Sequence, residues 1–186
     1  MYQLICRFLF FKILGWSCKV SIPDFPKCIL CVAPHTSNWD FLIAQLFYGA
    51  IGRRSGFLMK KEWFFFPLKY FWKAIGGIPV DRSKRTSLVE QTVAKIRESA
   101  TFHLAITPEG TRKRNENWKN GFYYIALGAG IPIVLYAIDY KRKLIVGEHA
   151  FLPTGAAEQE IKFIKRYYEQ FKDGAKHPDR FSVGEA

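Results

Sequence analysis

The chain has 186 residues, 49% of them apolar and 17% aromatic. That is enough for one domain with a real core, and it excludes a disordered or low-complexity polypeptide. Twenty-eight Lys and Arg face 16 Asp and Glu, and the formal charge of +12 suits a polyanionic partner: nucleic acid, an anionic bilayer or a phosphorylated small molecule. No run of about 20 uncharged apolar residues is present, which argues against an ordinary membrane span.

Residues 1–16 are dense in Leu, Ile, Phe and Trp with Arg7 and Lys12 among them, and lack the clean apolar centre and cleavage site of a signal peptide. Two readings stay open: a helix packed on the protein's own core, or an interfacial helix whose basic residues snorkel to headgroups. Residues 1–20 are therefore set apart as a membrane-associating segment, 21–175 as the main domain, and 176–186 as a polar tail. The chain from Asp173 onward reads as loose.

From Lys27 onward, short apolar runs alternate with helix-length segments. Residues 28–33 read as a buried strand, 39–50 as a helix, 57–59 as a short strand and 67–75 as a helix stopped by Gly76-Gly77. A strand over 78–80 follows. Ser87 and Glu90 then form a capping box for a helix over 88–100. Strands over 102–107, 133–138 and 144–146 and helices over 121–128 and 158–171 complete the pattern. This alternation predicts an α/β fold with a mixed, largely parallel sheet flanked by helices. Cys28 and Cys31 lie three apart on a strand and should point to opposite faces, as small buried hydrophobes rather than a redox pair or a zinc set.

Three polar clusters directly follow predicted strands: residues 34–40 (Pro-His-Thr-Ser-Asn-Trp-Asp), 78–82 (Ile-Pro-Val-Asp-Arg) and 107–112 (Thr-Pro-Glu-Gly-Thr-Arg). In open α/β sheets ligands bind beyond the carboxyl ends of strands, so the three should converge on one crevice. Spacing alone allows two readings of the first cluster. Asp40 either serves only as the N3 acid of a helix capped at Ser37, or it also orients His35 as a base. Arg82 and Arg112 offer planar forks for phosphate or carboxylate, and Lys60 a point charge. Each of these cations taken alone also fits a solvated surface position.

Together the blocks resemble the glycerolipid acyltransferase family, typified by 1-acylglycerol-3-phosphate acyltransferases. Residues 35–40 match its His-x4-Asp motif, 78–82 its second block ending in Arg, 108–112 its Pro-Glu-Gly-Thr-Arg block and 130–134 its fourth. Lys60 matches a family lysine. Thr107 and Tyr136 depart from the pattern, at positions where the family often has an aromatic residue and a proline.

The resemblance implies transfer of a fatty acyl group from an acyl-CoA or acyl-carrier-protein thioester to the hydroxyl of a lysophospholipid, 1-acylglycerol 3-phosphate foremost. A lyso-aminolipid or glycerol 3-phosphate is the alternative acceptor. His35 and Asp40 would be catalytic. Lys60, Arg82, Glu109, Gly110, Thr111 and Arg112 would bind substrate, with the backbone N–H groups of Gly110 and Thr111 as oxyanion donors. Neither a resident cofactor nor a metal is called for. Ten Lys and Arg against three acidic residues within residues 1–80, beside the aromatic run 63–72, suggest a peripheral site on the cytoplasmic face of an anionic membrane. Nucleic acid is not expected as a partner, because no helix-turn-helix, zinc-finger or RNA-binding-sheet signature is found. A non-catalytic module binding anionic lipid or nucleic acid is the rival reading.

Overall fold

The computed structural model describes residues 1–81 and 87–184. The architecture is a five-stranded sheet between two helical layers, with strands β1 (Ser17–Val20), β2 (Lys27–Ala33), β5 (Phe102–Ile106), β6 (Ile133–Asp139) and β7 (Leu144–Phe151) in the order β1-β7-β6-β2-β5. Parallel pairing joins β6, β2 and β5, whereas β7 runs antiparallel to β6 and carries the parallel edge strand β1. The α/β class with a mixed, largely parallel sheet is thus observed.

Why β2 and β6 take the centre follows from their composition: every residue of β6 is buried, as are six of seven in β2. Alternate residues feed two cores. Ile29, Cys31, Ile133 and Leu135 face one core, with α5 (Gly121–Ala129) and α6 (Ala157–Glu169) behind it. Cys28, Leu30, Val134 and Tyr136 face the other, which contains Ile43, Phe47 and Tyr48 of α2 (Asn38–Ala50). The two cysteines accordingly point to opposite faces and form no disulfide. Burial pushes the Cys28 thiol up to about 12, which removes it as a nucleophile.

Between α2 and β5 in sequence, β3 (Phe57–Lys60) and β4 (Gly77–Val80) form a parallel pair joined through α3 (Leu68–Ala74). Gly56 bridges Leu104 in the parallel sense and sets this pair beside β5. Gly76 makes the turn into β4 at φ +94°, and a Cβ there would lie 2.4 Å from the Ser55 carbonyl oxygen, so only glycine fits. The carboxyl ends of β2, β5, β3 and β4 all leave the same edge of the molecule.

The N-terminal segment packs on the protein's own core along one face. Helix α1 (Tyr2–Arg7) and the π-helical turn Phe8–Ile13 bury Cys6 and Phe10 against α2, with Phe10 and Phe47 ring centres 5.8 Å apart. Leu4, Ile5, Phe8 and Ile13 on the other side are exposed. Among the described residues no helix is long and apolar enough to cross a membrane.

Two expectations need correction. Strand β7 extends to Phe151, well past residue 146, and β1 was not foreseen. The segment over 173–184 is not loose. Ala175, Phe181 and Val183 are buried in the main core, the Trp118 indole N–H donates to the Ser182 carbonyl at 2.9 Å, and the Tyr140 N–H donates to the Gly174 carbonyl at 2.7 Å. Helix α4 (Leu88–Glu98) begins with the anticipated capping box of Ser87 and Glu90.

Candidate active site

His35 sits in the loop between β2 and α2, and the start of α2 fixes what faces it. The Ser37 hydroxyl caps the helix by accepting the Trp39 N–H at 3.2 Å. Asp40, in the first turn and only 2% exposed, accepts the N–H groups of Thr36 at 2.7 Å and Ser37 at 2.8 Å through one oxygen. That same oxygen lies 3.2 Å from His35 Nδ1, an ion-pair separation whose alignment falls short of a hydrogen bond. The two sequence readings of Asp40 are therefore not exclusive: the carboxylate closes the helix cap and faces the imidazole at once. Its other oxygen accepts the Tyr140 hydroxyl at 2.7 Å. The His35 side chain is 17% exposed, and its Nε2 has no protein partner among the described residues.

The adjacent strand supplies the second piece. Glu109, just beyond β5, accepts the His35 backbone N–H at 2.7 Å, which ties two of the predicted clusters together. Its loop is braced by Asn115, whose amide donates to the Glu109 carbonyl at 2.7 Å. Glu109 is 3% exposed and its second oxygen has no partner among the described residues; burial raises its pKa from 4.5 to about 7, against the opposing pull of the backbone N–H bonds.

The sign of the stability effect follows. Between pH 4.5 and about 7 the folded chain binds more protons than the unfolded chain, so stability falls as pH rises through that window. The neutral carboxyl's advantage is complete below 4.5 and is lost above about 7. Linkage puts the change at on the order of 3 kcal/mol. Glu109→Gln keeps an acceptor for the His35 N–H and should flatten that part of the profile. Urea unfolding of both proteins at about pH 5 and about pH 8 measures it, and an unaltered slope in the variant would assign the dependence to other groups.

The remaining predicted residues fall as follows. Arg112 donates to the Asn38 side-chain oxygen and so joins the third cluster to the start of α2. Lys60 ends β3 at the common edge and is exposed. Arg82 lies outside the described residues. The Gly110 N–H is donated to the Thr107 carbonyl at 3.1 Å in a turn where Gly110 takes φ +66°, so in this structure that candidate oxyanion donor is engaged by the turn. The Thr111 hydroxyl accepts the Lys113 N–H. Tyr136 does not shape the crevice: it packs inward on Phe47 and Tyr48, beside an apolar cavity of about 20 Å³ that has room for a water and not for an acyl chain. Among the described residues no group of His, Cys, Asp or Glu is arranged to hold a metal ion.

His35 itself is not part of the lining of an open cavity of about 510 Å³, which begins at Thr36, the residue after it, and is lined by residues 36–39 together with Arg112, Lys176, His177 and Arg180. The last three were missed in sequence because they sit in the segment that reads as a tail. Tyr140 was missed as well, since nothing local connects it with Asp40, 100 positions away.

The family model described as Acyltransferase matches residues 21–139, well over half of the chain and all of the dyad and Glu109 loop. The chain belongs to the acyltransferase family. A solved structure from Thermotoga maritima, titled PlsC, the 1-acyl-sn-glycerophosphate (LPA) acyltransferase, superposes with a TM-score of 0.61 at 20% identity, covering 91% of this chain and 76% of that one. At that identity the likeness establishes that this acyltransferase has the PlsC fold. No curated protein matches the chain.

Proposed function

We propose that this acyltransferase moves a fatty acyl group from a coenzyme A or carrier-protein thioester to the hydroxyl of a lysophospholipid with an anionic head, 1-acylglycerol 3-phosphate foremost. The observation that carries the reading is the imidazole of His35, with Asp40 3.2 Å behind Nδ1, and the residue that follows it, Thr36, lines a cavity rich in cations.

A thioester is already activated, whereas a neutral alcohol is a poor nucleophile. His35 Nε2 takes the acceptor's hydroxyl proton as its oxygen attacks the thioester carbonyl carbon. Asp40 stabilises the imidazolium that forms. The tetrahedral intermediate collapses with cleavage of the C–S bond, and the leaving thiolate takes the proton back from His35. Thr111 N–H is the remaining motif donor for the oxyanion. Glu109 positions the His35 backbone; Arg112 and Lys60, with Arg82 from the second motif, hold the acceptor's anionic head.

Labelled palmitoyl-CoA incubated with a panel of lysophosphatidate, zwitterionic lyso-lipids, a lyso-aminolipid and glycerol 3-phosphate tests this directly. A labelled diacyl product with lysophosphatidate is expected. Transfer to a different member reassigns the acceptor, and transfer to none overturns the activity.

A peripheral membrane site on the cytoplasmic face fits both substrates' amphiphilic character. Leu4, Ile5 and Phe8 of the N-terminal segment and Phe65, Phe66, Tyr70 and Phe71 around α3 are exposed on a cationic chain. Such side chains gain by entering the interface while basic residues meet anionic headgroups. In vesicle sedimentation, the protein should bind phosphatidylglycerol-containing vesicles in preference to phosphatidylcholine alone. Leu4→Glu with Phe8→Glu should cut the bound fraction severalfold at unchanged thermal stability. Equal binding by the variant would remove this segment from the footprint.

A further inference from the structure

We infer that the C-terminal segment is a working wall of the active site, with Lys176 and Arg180 completing, together with Arg112, a binding site for a phosphate ester. This extends the acyl-transfer reading and rests on it for which substrates are present.

Three long cationic side chains reach one cavity of about 510 Å³, and among the described residues no carboxylate lines it. Among the described residues, none of the three forms an ion pair. Converging like charges without a counter-ion repel each other, and a doubly charged phosphate relieves that repulsion while gaining charge-assisted hydrogen bonds. The cavity also abuts the first turn of α2, a 13-residue helix whose N-terminal dipole favours an anion.

The wall is held in place rather than draped over the opening. Phe171, Ala175, Phe181 and Val183 anchor it in the core on both sides of Lys176 and Arg180. Between them, the His177 N–H donates at 3.1 Å to the hydroxyl of Thr36, a fully buried residue next to His35. Gly174 packs so closely on Asp139 that a Cβ there would lie 2.6 Å from the carboxylate carbon, so the chain approaches the sheet at a site only glycine allows. Lys176 is further steered by its ammonium lying 5.2 Å over the ring of Tyr140, the residue that holds Asp40. The anion site is thereby registered to the catalytic pair through both Thr36 and Tyr140.

A phosphate ester occurs on both substrates: on the lysophosphatidate head, and on the nucleotide part of coenzyme A. Equilibrium binding distinguishes the two without requiring turnover. Wild type and the Lys176→Ala, Arg180→Ala double variant are titrated with lysophosphatidate and with 1-acylglycerol, then with coenzyme A and with pantetheine. Both positions are exposed, and thermal melting checks that the variant folds. The variant is expected to bind one phosphate-bearing probe at least about tenfold more weakly while its phosphate-free counterpart is unmoved. A loss confined to lysophosphatidate makes the wall an acceptor site, and one confined to coenzyme A makes it a donor site. The charge-preserving Lys176→Arg, Arg180→Lys variant should retain binding. Unchanged affinity for both phosphate-bearing probes in the alanine variant overturns the proposal. Failure of the acyl-transfer reading would show separately, as absence of product from the wild-type enzyme.

Discussion

His35→Ala is expected to leave a folded protein whose acyl transfer from a thioester falls by about 10²–10⁴-fold, the usual worth of a positioned general base. Folding should survive because little of the structure depends on the ring. Its Nδ1 makes no aligned hydrogen bond, and the bond that ties this position to Glu109 comes from the backbone N–H, which alanine retains. Asp40 also keeps its bonds from Thr36, Ser37 and Tyr140. The other imidazoles offer no substitute. His103 has both ring nitrogens engaged, with the Tyr48 hydroxyl at 2.7 Å and the Phe25 carbonyl at 2.8 Å. His149 packs against Phe163 and Tyr167 on the far strand β7. His177 lines the cavity, but no carboxylate faces it among the described residues. Initial rates with labelled acyl-CoA, beside a thermal melt, provide the measurement. A melting temperature near wild type with turnover reduced less than about threefold would remove His35 from the chemistry.

The features legible in the sequence were those with a local physical signature. Strands β2 and β6 announce themselves because a strand covered on both faces is apolar at every position. The capping residues Ser37 and Ser87 mark helix starts because a helix's first N–H groups need acceptors. His35, Asp40, Glu109 and Arg112 stood out as polar residues immediately after such strands, and the parallel pairing of β2 with β5 brings two of these clusters into contact. Strand β1 escaped notice because Ser17, Cys18, Lys19 and Val20 form a mostly exposed edge with no alternation to read. The end of β7 was missed for a similar reason, since Glu148 and His149 interrupt its apolar run.

The C-terminal segment shows a different limit. Its buried anchors, Ala175, Phe181 and Val183, are sparse and set among Lys, Asp, His and Arg, so composition describes a tail although the backbone is docked. Nothing local distinguishes a lysine in that setting from a solvated one. Only the fold reveals that Lys176 and Arg180 face the same cavity as Arg112. The Gly110 N–H illustrates the converse. A motif can flag a glycine, yet the turn that this glycine permits consumes the donor that a motif reading assigns to catalysis.

Asp40→Asn is expected to cost both activity and stability, which separates it from His35→Ala. The carboxylate oxygen facing His35 receives two backbone N–H groups, and the other receives the Tyr140 hydroxyl. All of these are donors. The asparagine amide must therefore turn its oxygen toward Thr36 and Ser37 and its NH₂ toward Tyr140, whose hydroxyl proton then has to find another acceptor. Replacing charge-assisted bonds by neutral ones at a buried cap should destabilise the fold by about 1–3 kcal/mol. The electronic loss is separate from this: a neutral amide no longer stabilises the imidazolium, and in hydrolase triads the equivalent change costs about 10⁴-fold in turnover. A loss of about 10³–10⁴-fold is expected here, read at a temperature well below the lowered melting point. Because Asp40 acts on the reaction only through His35, the double variant should be no slower than His35→Ala alone, while its stability should fall as far as that of Asp40→Asn. Rate losses that instead multiply across the two positions would mean that the carboxylate touches substrate independently, and the dyad would then have to be abandoned as the unit of catalysis.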